Sequence, residues 1–134
     1  MGIATIAKKL LQPLIGRSTT LPDTLLARYP ELTRAKWRLG GIPVRVGGWC
    51  LGVRSVSAIT LWHTIWLAPD AAMSEELLLH ELRHVDQFEE SVAFPVLYLW
   101  ESVRHGYVGN RFEIDAREYA ATRLRESQRS TARG

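Results

Sequence analysis

Residues 74–90 read SEELLLHELRHVDQFEE. The stretch predicts a helix. Ser74 suits the N-cap, and Glu75 and Glu76 fall in the first turn, where the helix dipole favours negative charge. Inside it lies His80-Glu81-Leu82-Arg83-His84, an H-E-x-x-H pattern. At about 100° per residue, His80 and His84 stand one above the other, so two imidazoles can reach one metal ion. Glu81 flanks the same face, close enough to polarise a metal-bound water without being a ligand. Leu77, Leu78, Leu82, Val85 and Phe88 make a broad apolar arc, and Glu76, Arg83, Asp86 and Glu90 a solvent arc. The His-Glu-His set falls on the border between them, where a cleft wall would run. Two histidines at i, i+4 can also simply cap a surface face. The glutamate in the required slot favours a metal.

With 134 residues the chain is long enough for one domain with a real core. Hydrophobic content of 46% and charged content of 23% are ordinary for a globular protein. The formal charge is +3, with much of the excess in a tail from Arg117 onward that reads as frayed beyond about Gln128. So small an excess points to a solvated end, and no nucleic-acid partner is expected. Cys50 is the single cysteine and reads as a small buried hydrophobe, which excludes an internal disulfide and a cysteine-based zinc site. The N-terminus does not read as a signal peptide, because Lys8-Lys9 falls behind the first apolar residues and Pro13 breaks the segment after the lysines. The most apolar stretch, residues 92–100, is too short to cross a bilayer. A cytoplasmic protein is the expectation.

Residues 3–15 (IATIAKKLLQPLI) predict a short amphipathic helix with Ile3, Ile6, Leu10 and Leu14 on one face. Packing on the domain is favoured over contact with a membrane surface or a partner. Leu21-Pro22-Asp23 leads into a second short helix expected through about Tyr29, ended by Pro30, and residues 31–38 suggest one more helical turn. Residues 42–46 and 49–53 around Gly47-Gly48 read as a hairpin, with Pro43 marking an edge. Residues 58–67 (AITLWHTIWL) give the clearest strand. Alternation puts Ile59, Leu61, His63, Ile65 and Leu67 on one face, and Thr60, Trp62, Thr64 and Trp66 on the other. His63 reads as structural in preference to cleft-lining, and the two tryptophans as core in preference to a substrate shelf. A third helical region covers about 92–104, residues 105–110 make a loop, and a last helix runs from about Arg111 to Glu126.

Two histidines do not complete a catalytic zinc site, which usually takes three protein ligands. Of the downstream carboxylates, Glu113 shares its helical face with Ala116, Ala120 and Leu124, whereas Asp115 and Glu118 project away with Thr122 and Arg125. A carboxylate among small apolar residues is costly unless paired or metal-bound. Glu113 is therefore the expected third ligand, and an ion pair with Arg117 at i+4 is the plainer alternative.

His80-Glu81-Leu82-Arg83-His84 followed by Glu113 in FEIDA resembles the gluzincin metallopeptidases. Val85 and Gln87 add a resemblance to the minigluzincins and to short bacterial HExxH domains, over about residues 40–126. The resemblance implies a small zincin-like α+β domain. N-terminal helices would occupy residues 1–39. A short antiparallel or mixed sheet, the HExxH helix and a later ligand-bearing helix would fill residues 40–128, with a disordered basic tail at 129–134. It further implies Zn2+ on His80, His84 and Glu113, with Glu81 as general base for peptide-bond hydrolysis. A peptide or protein substrate would add along an edge strand near residues 58–67. Tyr107 and His105 are the candidate donors to the oxyanion, with plain packing and loop roles slightly favoured for both. One departure stands out: many gluzincins carry an Asp four residues after the ligand Glu to orient a zinc histidine, and here that position is Arg117. A zinc-binding scaffold with little turnover, and a membrane-surface or partner-binding protein using residues 3–15, are the other function classes.

Overall fold

The computed structural model describes residues 2–44 and 57–134. The chain folds as α+β. In order come helix α1 (Ile3–Ile15), strand β1 (Arg17–Ser18), helix α2 (Asp23–Arg28), a 3-10 turn (Pro30–Arg34) and strand β2 (Lys36–Leu39). Strands β3 (Ala58–Leu61) and β4 (Thr64–Leu67) come next, then helices α3 (Glu75–Glu90), α4 (Phe94–Gly109) and α5 (Arg111–Arg133). The expected hairpin lies largely outside the described residues, as does Cys50. Its first residues, 42–44, are helical and not extended.

The sheet is mixed, in the order β1-β2-β4-β3. β2 runs parallel to β4, with Trp37 opposite Ile65 and Leu39 opposite Leu67, and the two outer pairings are antiparallel. Residues 36–38 are thus strand and not the expected helical turn. The expected division at residues 39/40 passes through this sheet, since β2 ends at Leu39 and pairs along its length with β4.

The single strand expected over 58–67 is a hairpin. Leu61 pairs with Thr64, and Trp62-His63 form a two-residue turn. Trp62 takes φ 53, a conformation uncommon for a bulky side chain, so no glycine or asparagine announces the turn. The turn changes which residues share a face. Thr60 pairs with Ile65 and is buried with it, opposite to simple alternation. Trp62 is exposed at the turn, with its ring beside Phe88, and Trp66 donates its indole N–H to the Ile15 carbonyl at 2.9 Å, so neither joins the core. His63 pairs with Glu89 on the surface at 2.8 Å.

One core holds the domain together. Trp37, Ile65 and Leu67 from the sheet join Leu78, Leu79, Leu82 and Val85 of α3, with Tyr29 and Leu32 from the N-terminal segment. Ala116 and Ala120 are fully buried where α5 meets α3, and their small side chains allow close approach of the two helices. Arg34 to Asp86 and Arg123 to Glu31 tie the 3-10 turn to α3 and α5. α5 continues to Arg133, through the stretch expected to fray. α1 departs from expectation in the other direction. Its described side chains are all exposed, and it does not pack on the core.

Candidate metal centre

Three helices bring the site together. α3 is capped as its sequence predicts, with Ser74 Oγ accepting from the Leu77 amide at 3.1 Å. From it His80 and His84 project together, their ring centroids 4.9 Å apart. The first turn of α5 supplies Glu113. Its Oε2 lies 2.9 Å from His80 Nε2 and its Oε1 3.1 Å from His84 Nε2. Glu113 is only 2% exposed and His84 is also buried, while the His80 side chain keeps 12% exposure. Arg117, the alternative partner for Glu113, instead donates to the Val108 carbonyl at the end of α4.

Glu81 completes the group. One ligand atom from each of His80, Glu81 and His84 lies within 4.8 Å of the others. The Thr60 hydroxyl on β3 donates to Glu81 Oε2 at 2.7 Å, which holds the carboxylate between the helix and the sheet. This buried His-Glu-x-x-His cluster could bind a metal ion. The donor set fits one: two imidazole nitrogens converge on a single carboxylate, and a second carboxylate stands beside them.

The partner that orients His84 is Gln87. Gln87 Oε1 lies 2.8 Å from His84 Nδ1. The other end of the amide fixes its orientation, because Nε2 donates to the Phe112 carbonyl at 3.0 Å and to Asp115 Oδ2 at 2.8 Å. The oxygen therefore faces His84, Nδ1 carries the proton, and Nε2 is the atom presented to the centre. Arg83 holds Asp115 in turn, Nε to Oδ2 at 2.7 Å. A chain from Arg83 through Asp115 and Gln87 thus fixes the His84 ring. Helical periodicity alone sends Asp115 to solvent. In the structure it is half-buried and aimed at α3.

Tyr98 is a site residue that the sequence does not announce. Its hydroxyl donates to Glu113 Oε1 at 2.6 Å. The only sequence signal is a tyrosine within the apolar first half of the helix, one turn before Ser102. Asn110 locks this corner: fully buried, it caps α5 by accepting from the Phe112 amide and donates to Tyr98 O and Ser102 Oγ. The two candidate oxyanion donors separate. α4 continues through the expected loop and breaks at Gly106, φ 73. Tyr107, just past the break, lies beside the site, where burial and the Glu113 and Glu81 charges push its hydroxyl well above the usual phenol range. It stays protonated, as a donor must. His105 precedes the break and stays on the outer side of α4, half-exposed and 4.0 Å from Glu101, so it does not join the cluster.

Burial opposes a charge on His84, yet the hydrogen bond to Glu113 and the Glu81 and Glu113 charges lift its pKa to about 9. Burial would likewise raise the Glu113 carboxyl, but hydrogen bonds from His80 and His84 outweigh it and hold Glu113 well below the usual carboxylate range. The metal-free protein consequently titrates in two directions. The His84 contribution to stability is complete below its unfolded value of 6.5 and is lost as pH rises through about 9. The Glu113 contribution is complete above 4.5 and is lost as pH falls below it. Thermal unfolding in chelator should therefore show a Tm roughly 5–10 °C lower at about pH 9.5 than at about pH 6. A flat profile across that window would mean the imidazole–carboxylate pairing contributes nothing to the fold.

No family model matches this chain, and neither does any curated protein or solved structure.

Proposed function

We propose that the protein is a small zinc-dependent peptidase. One observation carries the reading: His80 and His84 aim their Nε2 atoms at the same Glu113 carboxylate, with Glu81 held beside them under the sheet edge by Thr60. Two nitrogens and one carboxylate suit zinc. Zinc held by His80, His84 and Glu113 would supply Lewis acidity, polarising a peptide carbonyl and acidifying a water molecule.

The chain's own groups do the rest. β4 lies between β2 and β3, so among the described residues β3 is the outer strand on the α3 side, and an extended peptide would add there through main-chain hydrogen bonds. Glu81 takes a proton from the attacking water as the new carbon–oxygen bond forms. It returns that proton to the amine nitrogen as the carbon–nitrogen bond breaks. The Tyr107 hydroxyl donates to the oxygen that gains charge. Tyr98 holds Glu113, and Gln87 holds His84 in the required tautomer.

The test is metal content followed by hydrolysis of a peptide pool. One zinc per chain, with cleavage that stops on chelation and returns with zinc, is the expected result, and failure to take up zinc removes the reading. A second reading rests on the same residues. Glu113 joins α5 to α3 and, through Tyr98, to α4, so a metal there would staple three helices even without turnover. In either case Gln87→Leu should weaken zinc affinity by about 10–100-fold, measured by competition with a chromophoric chelator. Unchanged affinity would show that the amide does not orient His84.

A further inference from the structure

α1 begins the chain with an apolar surface that nothing in the described structure covers. Ile3 is 87% exposed and Leu10 71%, and Ile6, Leu11, Leu14 and Ile15 are exposed as well. The helix is nevertheless fixed at one end. The Ile15 carbonyl accepts from Arg38 Nε at 2.6 Å and from Trp66 Nε1 at 2.9 Å, which satisfies a terminal carbonyl from the face of the sheet. Gly16, φ 71, then packs so closely that a Cβ there would meet the Gly40 carbonyl oxygen at 2.5 Å. α1 therefore leaves the domain at a set angle, with its body free.

Its residues divide sharply around the axis. Ile3, Ile6, Ala7, Leu10, Leu11, Leu14 and Ile15 spread over roughly half the circumference, and Thr5, Lys8 and Lys9 lie on the other half. A protein groove takes a narrow stripe of anchors, whereas so wide an apolar arc suits immersion of a whole side. Charge points the same way. The first acid in the sequence is Asp23, so residues 1–22 hold Lys8, Lys9 and Arg17 and no aspartate or glutamate. Residues 23–134 hold fourteen charges of each sign and are neutral as a whole, with a basic excess of their own from Arg117 onward. At thirteen residues the helix is too short to span a bilayer, and no described helix is long and apolar enough to do so.

We infer that α1 is an interfacial anchor that lies in the surface of a membrane carrying anionic lipid, apolar side down and lysines at the headgroups. The anchor stands apart from the metal centre and does not depend on the peptidase reading. The test is flotation of the full chain with vesicles of phosphatidylcholine, with or without phosphatidylserine. Wild type should float with the anionic vesicles, bind the neutral ones more weakly, and be released by salt. Leu10→Glu should abolish flotation, and the double variant Lys8→Glu, Lys9→Glu should weaken it by at least about 25-fold. Neither site touches the core, so both variants should keep the wild-type unfolding temperature, which separates lost docking from lost fold. Absence of wild-type flotation, or flotation indifferent to these changes, overturns the proposal. So does a concentration-dependent dimer in light scattering that Leu10→Glu dissociates, since the face would then belong to a second copy of the chain.

Discussion

Replacing Glu113 with alanine is expected to abolish stoichiometric metal uptake. The carboxylate is the point on which the centre closes, with one oxygen facing each histidine and Tyr98 donating to the oxygen that faces His84. Without it, two imidazoles on a single helix remain as ligands. Affinity should fall by more than about 100-fold, the upper end of what losing an outer partner alone costs. The same change leaves the Tyr98 hydroxyl and two largely buried ring nitrogens without their acceptor, a cost of about 1–3 kcal/mol for each group that water cannot reach. Glu113→Gln separates the two effects. The amide oxygen can still accept from Tyr98, which preserves much of the fold, while the loss of charge weakens metal binding. Measurement of zinc per chain on wild type and both variants is direct, and an alanine variant that holds zinc as tightly as wild type would remove Glu113 from the ligand set.

Glu81→Gln should behave in the opposite way, keeping metal and losing reaction. Glutamine has the shape of glutamate, and its oxygen can accept from Thr60, so the junction between β3 and α3 should persist. What disappears is the ability to take a proton. Loss of a positioned general base lowers turnover by about 100- to 10,000-fold. The informative result is a protein with full zinc content, a wild-type unfolding temperature and almost no peptide hydrolysis. Substantial residual turnover would assign the base to another group. A zinc-loaded wild type with no turnover to lose would favour the scaffold reading.

The parts of this structure that are legible in the sequence are those specified by local periodicity. The cap at Ser74 and the pairing of His80 with His84 come from positions along α3 alone, and the burial of Glu113 with Ala116 and Ala120 from positions along α5 alone. The parts that are not legible depend on partners distant in sequence. Lys36–Leu39 is four residues long, and it is a strand because β4 pairs with it. Arg17–Ser18 is shorter still. The Trp62-His63 turn lacks the usual residues, and unbroken alternation across it assigns Thr60 to the wrong face, hiding the residue that holds Glu81. Tyr98 and Asp115 gain their roles from helix packing: one looks like part of an apolar run, the other like a solvent-facing acid.

The strand order also bears on when the domain can fold. β2 lies between β1 and β4, yet Leu39 meets its parallel partner Leu67 only after an excursion of more than two dozen residues. While the chain leaves the ribosome, α1, β1 and β2 emerge with half of their sheet unmade. The parallel strand must be synthesised before Trp37 can be covered from that side. α3, built from local contacts, can form within microseconds of its release, whereas closure of the sheet has to wait for a distant pairing. The slow step of folding should therefore be the docking of the N-terminal strands onto an existing β3–β4 hairpin and α3. Until then a nascent chain would expose Trp37 and the edge of β4 to chaperones and to neighbouring chains.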